Sequence, residues 1–288
     1  NSVRLKQEQM AQERHQELLP PATFDSDNKT VVVLVIGEAA RAQNFSLYGY
    51  ERNTNPYLAK SDILALDASA CSTYTTASVL CMLSYTESDA SDYEPLPSYL
   101  KRHGIDVIWR SANWGEPPID VTTYEKSSDL KKVCEGEDCS FDSALLTNLV
   151  ERIRESQMKK IFVVLHTKGS HGPLYSTRYP KLFEKFQPVC ETVELFKCSH
   201  DSLVNAYDNT ILYTDYFLNR VINALQQLDD TPALMLYVSD HGESLGERGA
   251  YLHGAPYSIA PEYEFKVRFI VWRWACFRAS QPSRLDRA

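Results

Sequence analysis

Three stretches of this sequence carry side chains whose types and spacing suit metal-assisted chemistry. "SDHGESLGERGAYLHG" packs Asp240, His241, Glu243 and His253 into one short segment, and "VIGEAAR" adds Glu38 after an apolar run. "CSTYTTASVLC", from Cys71 to Cys81, crowds Ser72, Thr73, Tyr74, Thr75, Thr76 and Ser78 between two cysteines. A carboxylate from Glu38, another from Asp240 and an imidazole from His241 make a mixed oxygen and nitrogen set with room for a fourth ligand, as zinc accepts in catalytic sites. Manganese also suits the set; magnesium seldom recruits imidazole. A threonine hydroxyl is a poor nucleophile at neutral pH, and direct coordination to a divalent cation lowers the cost of its alkoxide. The cysteine-bracketed loop could therefore supply the fourth ligand and the nucleophile in one residue. The plain alternatives are a surface Asp-His turn and a solvated Ser/Thr loop.

The elements around these residues bear on that choice. Four apolar, β-branched runs recur, at 30–37, 106–110, 160–167 and 233–240. Between them lie helical patterns such as "DSALLTNLVERIRESQ" and "AYDNTILYTDYFLNRVINALQQL", the latter apolar at three- and four-residue intervals. Runs apolar on both faces and alternating with helices predict an α/β fold, a mostly parallel central sheet with helices on both faces. The carboxyl ends of the runs carry Glu38, then Asn113, then His166 and His171, then Asp240 and His241. In open parallel sheets ligands bind along that edge, so four separate segments point to one site.

With 288 residues and 43% hydrophobic composition the chain can bury one large core. A net charge of −8 without a long basic run argues against nucleic acid as a partner. No run approaches the roughly 20 apolar residues that cross a bilayer, and the first residues lack a signal-peptide pattern. Because the chain begins at Asn1, it reads as a fragment whose upstream membrane or export region is absent. Residues 1–29 read as a helix and linker, 30–274 as the catalytic domain, and 275–288 as an atypical tail with the unpaired Cys276. The other cysteines form local pairs, Cys71 with Cys81, Cys134 with Cys139 and Cys190 with Cys198. These read as disulfides of an oxidising compartment; a zinc cluster competes, but the paired C-x-x-C spacing of structural zinc is missing.

"VIGEAAR", "YGYERNTNPYL", "CSTYTTASVLCMLS", "WRSAN", "GSHGPLY", "PVCETVELFKCSHDSLVNAYDNTILYTD" and "YVSDHGESLGERGAYLHGAPYSIAP" occur in this order. Together they resemble the catalytic domain of the bacterial phosphoethanolamine transferases, lipid A-modifying enzymes that include the mobile colistin-resistance proteins, within the alkaline phosphatase superfamily. The resemblance spans roughly residues 30 to 272. It implies an enzyme of the periplasmic face of the bacterial inner membrane, anchored through an absent N-terminal region. That enzyme takes phosphoethanolamine from phosphatidylethanolamine onto a threonine and passes it to a phosphate of lipid A or another envelope acceptor.

The resemblance carries the family's nucleophile to Thr75 and its Zn2+ ligands to Glu38, Thr75, Asp240 and His241. It carries its further histidines, which contact the phosphoryl group or a second zinc, to His171 and His253, and a substrate contact to Asn113. His171 or His253 could also move a proton at the leaving or attacking oxygen. The sequence departs from the pattern at Ala39, where a threonine is usual, at Leu80, where a proline is common, and after "VRFIVW", where the family continues for a further strand and helix.

His166 reads as a packed or supporting histidine, Trp109, Trp272 and Trp274 as packing residues, and Trp114 as a neighbour of the site edge. Rival functions are a phosphoglycerol transferase using the same metal and threonine, a sulfatase, and a non-catalytic domain that binds lipid head groups. The sulfatase reading requires a C-x-P-x-R motif, and none of the seven cysteines stands in one.

Overall fold

Residues 16–24, 27–86, 92–228 and 231–274 are described by the computed structural model. The helix expected before residue 16 and the 275–288 tail with Cys276 lie outside them. Each β-branched run forms a strand because stiff side chains pack well on a pleated surface. The strands are β1 (Thr30–Gly37), β2 (Ile63–Ser69), β3 (Asp106–Ser111), β4 (Thr123–Lys126), β5 (Lys160–His166), β6 (Ala233–Ser239), β7 (Ser244–Leu245), β8 (Tyr251–Leu252) and β9 (Lys266–Arg273). The α-helices are α1 (Thr75–Met82), α2 (Leu96–Arg102), α3 (Ser127–Leu130), α4 (Leu149–Glu155) and α5 (His200–Gln226).

Seven strands form one sheet in the order β2-β9-β6-β1-β5-β3-β4, and β7 pairs with β8 in a separate hairpin. Strands β6, β1, β5, β3 and β4 run parallel, whereas β9 is antiparallel to both β6 and β2. The register sets Ile36 opposite His166 and Gly37 opposite Ser239. The chain therefore leaves β1, β5 and β6 at the same height, and Glu38, Thr167 and Asp240 emerge side by side.

Alternation along β1 separates the two cores. Val31, Val33 and Val35 pack with Leu203, Ile211, Phe217 and Val221 of α5 and Leu149 and Ile153 of α4. Leu34 and Ile36 face the other way, against Val79 and Leu83 of the α1 segment and Val107 and Trp109 of β3. At about 25 cal/mol per Å² of buried apolar surface, each such residue contributes roughly 1.5–3 kcal/mol, and the two cores hold the strand ends in place.

The helix expected at 142–157 is broken. Asp142–Leu146 is a 3-10 segment, Asn148 takes a left-handed φ of 50°, and only then does α4 begin. Arg110 of β3 takes the carbonyls of Leu145 at 2.8 Å and Thr147 at 2.7 Å, so those acceptors bond the guanidinium. The long α5 starts earlier than its pattern predicts, at His200, where Ser199 caps it by accepting from Ser202 N at 3.2 Å. Trp109 and Trp272 are buried, and Trp114 is 59% exposed.

Candidate active site

Glu38, Asp240 and His241 are all fully buried where β1 and β6 end. His241 Nε2 stands 3.2 Å from Glu38 Oε1 and 3.4 Å from Asp240 Oδ2. Glu38 Oε1 and Asp240 Oδ2 have no hydrogen-bond partner. Asp240 Oδ1 is used differently, accepting from the backbone N–H of Ala39 at 3.1 Å and of His241 at 2.7 Å. Those bonds fix the carboxylate while leaving one bare oxygen on the site side.

Two acids this close, both out of water, cannot both be ionised without a cation between them. Burial pushes the Asp240 carboxyl well above its usual range, and the neighbouring Glu38 adds to the effect. Burial works in the same direction on Glu38, but the facing His241 imidazole outweighs it and holds that carboxyl low. Burial would lower the imidazole of His241, yet Asp240 and Glu38 raise it to about 10. A proton on His241 thus stands where a divalent cation would satisfy the same oxygens.

The histidines are set for that role. Nδ1 of His241 faces Gly242 O at 2.8 Å, that of His171 faces Gly172 O at 2.7 Å, and that of His253 faces Glu243 Oε2 at 2.5 Å. An acceptor at Nδ1 calls for the proton there and directs the Nε2 lone pair to the other side, the tautomer a metal or a mobile proton needs. One donor atom each from Glu38, His241 and His253 lie within 4.8 Å of one another. His253 therefore closes on the Glu38–His241 corner, with its ring centroid 4.1 Å from that of His241 and 6.3 Å from that of His171. The donors and the bare oxygens fit a divalent metal.

Thr75 is the first residue of α1 and only 6% exposed. Its hydroxyl donates to Glu38 Oε2 at 3.2 Å and lies 3.4 Å from His241 Nε2. Thr76 points outward and is exposed. The α1 N-terminus has no side-chain cap, so its first N–H groups remain available to an anion in front of Thr75. The Cys71–Cys81 disulfide ties the preceding loop to this helix. Bridges also join Cys134 to Cys139 and Cys190 to Cys198. Asn113 Nδ2 donates to Glu38 Oε2 at 2.6 Å. His166 is buried apart, with Nδ1 3.3 Å from Ser111 Oγ and its ring edge-on to Trp109.

Sequence reasoning singled out neither Lys168 nor Tyr175 and gave Glu243 no role. Glu243 is fully buried and accepts from Tyr175 OH as well as facing His253. The β7–β8 hairpin makes this possible by pairing Ser244 with Leu252, which returns His253 to Glu243. An acid and a histidine on either side of a glycine-containing turn are the only signal of it in the sequence.

A hydroxyl faces paired acids and imidazoles at the strand ends of a mostly parallel sheet covered on both faces. The chain belongs to the sulfatase family, whose model matches residues 30–282, and within it to the phosphoethanolamine transferases. It is 44% identical to phosphoethanolamine transferase EptA of Helicobacter pylori over 258 residues, covering 88% of this chain and 49% of that protein. The integral membrane lipooligosaccharide phosphoethanolamine transferase A of Neisseria meningitidis matches with a TM-score of 0.84 at 35% identity, covering 96% of this chain and 55% of that one. The soluble domain of the Neisseria protein gives a TM-score of 0.81 at 38% identity, over 89% of this chain and 80% of that structure. The chain thus spans about half the length of the curated relatives it matches. Among the described residues no helix is long and apolar enough to cross a membrane.

Proposed function

We propose that residues 30–274 are the catalytic domain of a zinc-dependent phosphoethanolamine transferase. It takes phosphoethanolamine from phosphatidylethanolamine onto Thr75 and passes it to a phosphate of lipid A or another cell-envelope acceptor. The work is done at the periplasmic face of the inner membrane. The observation that carries this reading is the Thr75 hydroxyl, 3.2 Å from Glu38 Oε2, in front of two buried acids that each keep a bare oxygen.

Glu38, Thr75, Asp240 and His241 would hold the zinc, with His253 beside them. When bound, the ion supplies positive charge that favours the threonine alkoxide and the phosphoryl oxygens. Thr75 Oγ bonds to the donor's phosphorus, the bond to the diacylglycerol oxygen breaks, and diacylglycerol leaves after taking up a proton. An acceptor phosphate oxygen then attacks the same phosphorus and Thr75 is released. The Thr75 hydroxyl is oriented by donating to Glu38 Oε2 at 3.2 Å. Burial holds His171 below its ordinary range, so at neutral pH its imidazole is uncharged and its Nε2 can take a proton from an attacking group. Asn113 keeps the Glu38 carboxylate oriented.

The family name does not bring sulfatase chemistry with it. The serine form of the modification motif occurs once, at Ser280 to Arg284, outside the described residues. The hydroxyl at the carboxylate corner is Thr75, which stands in no such motif.

Transfer by the full-length protein in vesicles containing phosphatidylethanolamine and lipid A tests the reading. Thr75→Ala should abolish transfer by at least about a thousandfold while leaving the thermal midpoint unchanged, because it removes the attacking atom and little packing. Retained transfer by that variant would sink the nucleophile assignment.

A further inference from the structure

Lys168 is a half-buried cation beside the carboxylate corner that the reaction above does not use. Its backbone is held from two sides. Asp142 accepts from Lys168 N at 2.8 Å and Gly169 N at 2.9 Å, and Ser170 N donates to Glu38 O at 2.9 Å. Gly169, at a φ of 47°, lets the turn lie directly on Glu38: a Cβ there would come within 2.8 Å of the Glu38 carbonyl oxygen. The side chain then extends over the site, with Nζ 3.5 Å from Asn113 Oδ1. The amide nitrogen of that same Asn113 donates to Glu38 Oε2, which also receives the Thr75 hydroxyl.

Among the described residues no carboxylate lies within ion-pair distance of Lys168. Its ammonium has one long, weak bond to a neutral amide, although a charge half out of water is normally paired. Arg178 adds charge from the adjoining segment and donates from Nε to the His171 carbonyl at 2.6 Å. Lys168 thus reaches the Glu38–Thr75 corner through Asn113, and Arg178 joins the same segment at His171.

We infer that Lys168 is a seat for phosphoryl oxygens. It binds either the donor's phosphodiester or the acceptor's phosphate monoester as the group approaches Thr75. The inference rests on the transferase reading, since it needs phosphate groups to meet at this corner. A charge-assisted bond of this kind contributes about a tenfold effect or more.

The test uses the metal-loaded full-length protein, Lys168→Met and Lys168→Arg. First, binding of O-phosphoethanolamine is measured by calorimetry. Second, two half-reactions are timed separately: formation of the Thr75 adduct from phosphatidylethanolamine, and its discharge on adding lipid A. Lys168→Met should weaken phosphoethanolamine binding about tenfold, with zinc content and thermal midpoint unchanged and Lys168→Arg largely restoring it. Slower adduct formation would assign the seat to the donor, and slower discharge to the acceptor. Binding and both half-reactions within twofold of wild type would overturn the inference, as would a parallel loss of zinc, which would make Lys168 a support for Asn113 and Glu38. Absence of any adduct in the wild-type protein would instead count against the transferase reading itself.

Discussion

Asp208 and the Glu38–Asp240 pair are equally buried, and their surroundings are opposite. Asp208, on α5, accepts from Asn44 Nδ2 at 2.5 Å, Tyr50 OH at 2.9 Å and Arg52 Nη1 at 2.9 Å, so both its oxygens are used. Glu38 Oε1 and Asp240 Oδ2 are bare and converge on one imidazole nitrogen. A buried acid with a full set of donors is part of the scaffold, pinning the 44–52 segment to α5. Two buried acids whose bare oxygens face one imidazole nitrogen have the donors a cation would satisfy.

Exchanging one acid at each place should separate them. Asp240→Asn should weaken zinc binding at least about a hundredfold, or roughly 2.7 kcal/mol, by removing a charged ligand. In metal-free protein it should raise stability by about 1 kcal/mol, because it relieves the repulsion with Glu38. Calorimetry with zinc and urea unfolding with and without chelator would show both signs. Equal destabilisation in the two states would make Asp240 a scaffold residue. Asp208→Ala should cost about 2 kcal/mol whether or not metal is present, because it strands Asn44 and Arg52, and should leave zinc stoichiometry intact. Loss of zinc in that variant would break the comparison from the other side.

A smaller effect comes from Asp215, which sits on α5 away from the site. It accepts from the backbone N–H of Tyr57 at 2.7 Å and Leu58 at 3.2 Å. Burial nonetheless raises its carboxyl from 3.8 to about 7. The folded state then holds a proton that the unfolded chain has already released. The group's contribution to stability is complete below about pH 4, declines as pH rises, and is lost by about pH 7. Asp215→Asn should flatten that limb of the urea midpoint against pH; an unchanged slope would remove Asp215 as its source.

The parallel core was legible because β1, β3, β5 and β6 are apolar on both faces, and their shared register followed from their common direction. Strand β2 was not, since Asp67 interrupts its apolar run and, with Leu66, is exposed on an edge strand. Nor was β4, only four residues long with alternate exposure. The antiparallel pairing of β9 with β6 and β2 depends on chain reversal, which periodicity does not record. At the site, Glu38, Asp240 and His241 were readable because each directly follows a buried strand. Lys168 follows one too, but a lysine in a loop resembles any solvated lysine until its backbone anchors and missing ion pair are seen in space. The Glu243–His253 contact depends on the β7–β8 turn, and the gathering of Glu38, His241 and His253 depends in turn on that contact.

The measurement that bears most directly on the central claim is the mass of the group trapped on the full-length, zinc-loaded protein after incubation with phosphatidylethanolamine and no acceptor. A mass increase of one phosphoethanolamine, mapped by peptide sequencing to Thr75 and absent in chelated protein, is the expected result. A phosphoglycerol adduct formed with a phosphatidylglycerol donor in its place, an adduct on another residue, or no adduct with metal and donor present would contradict it.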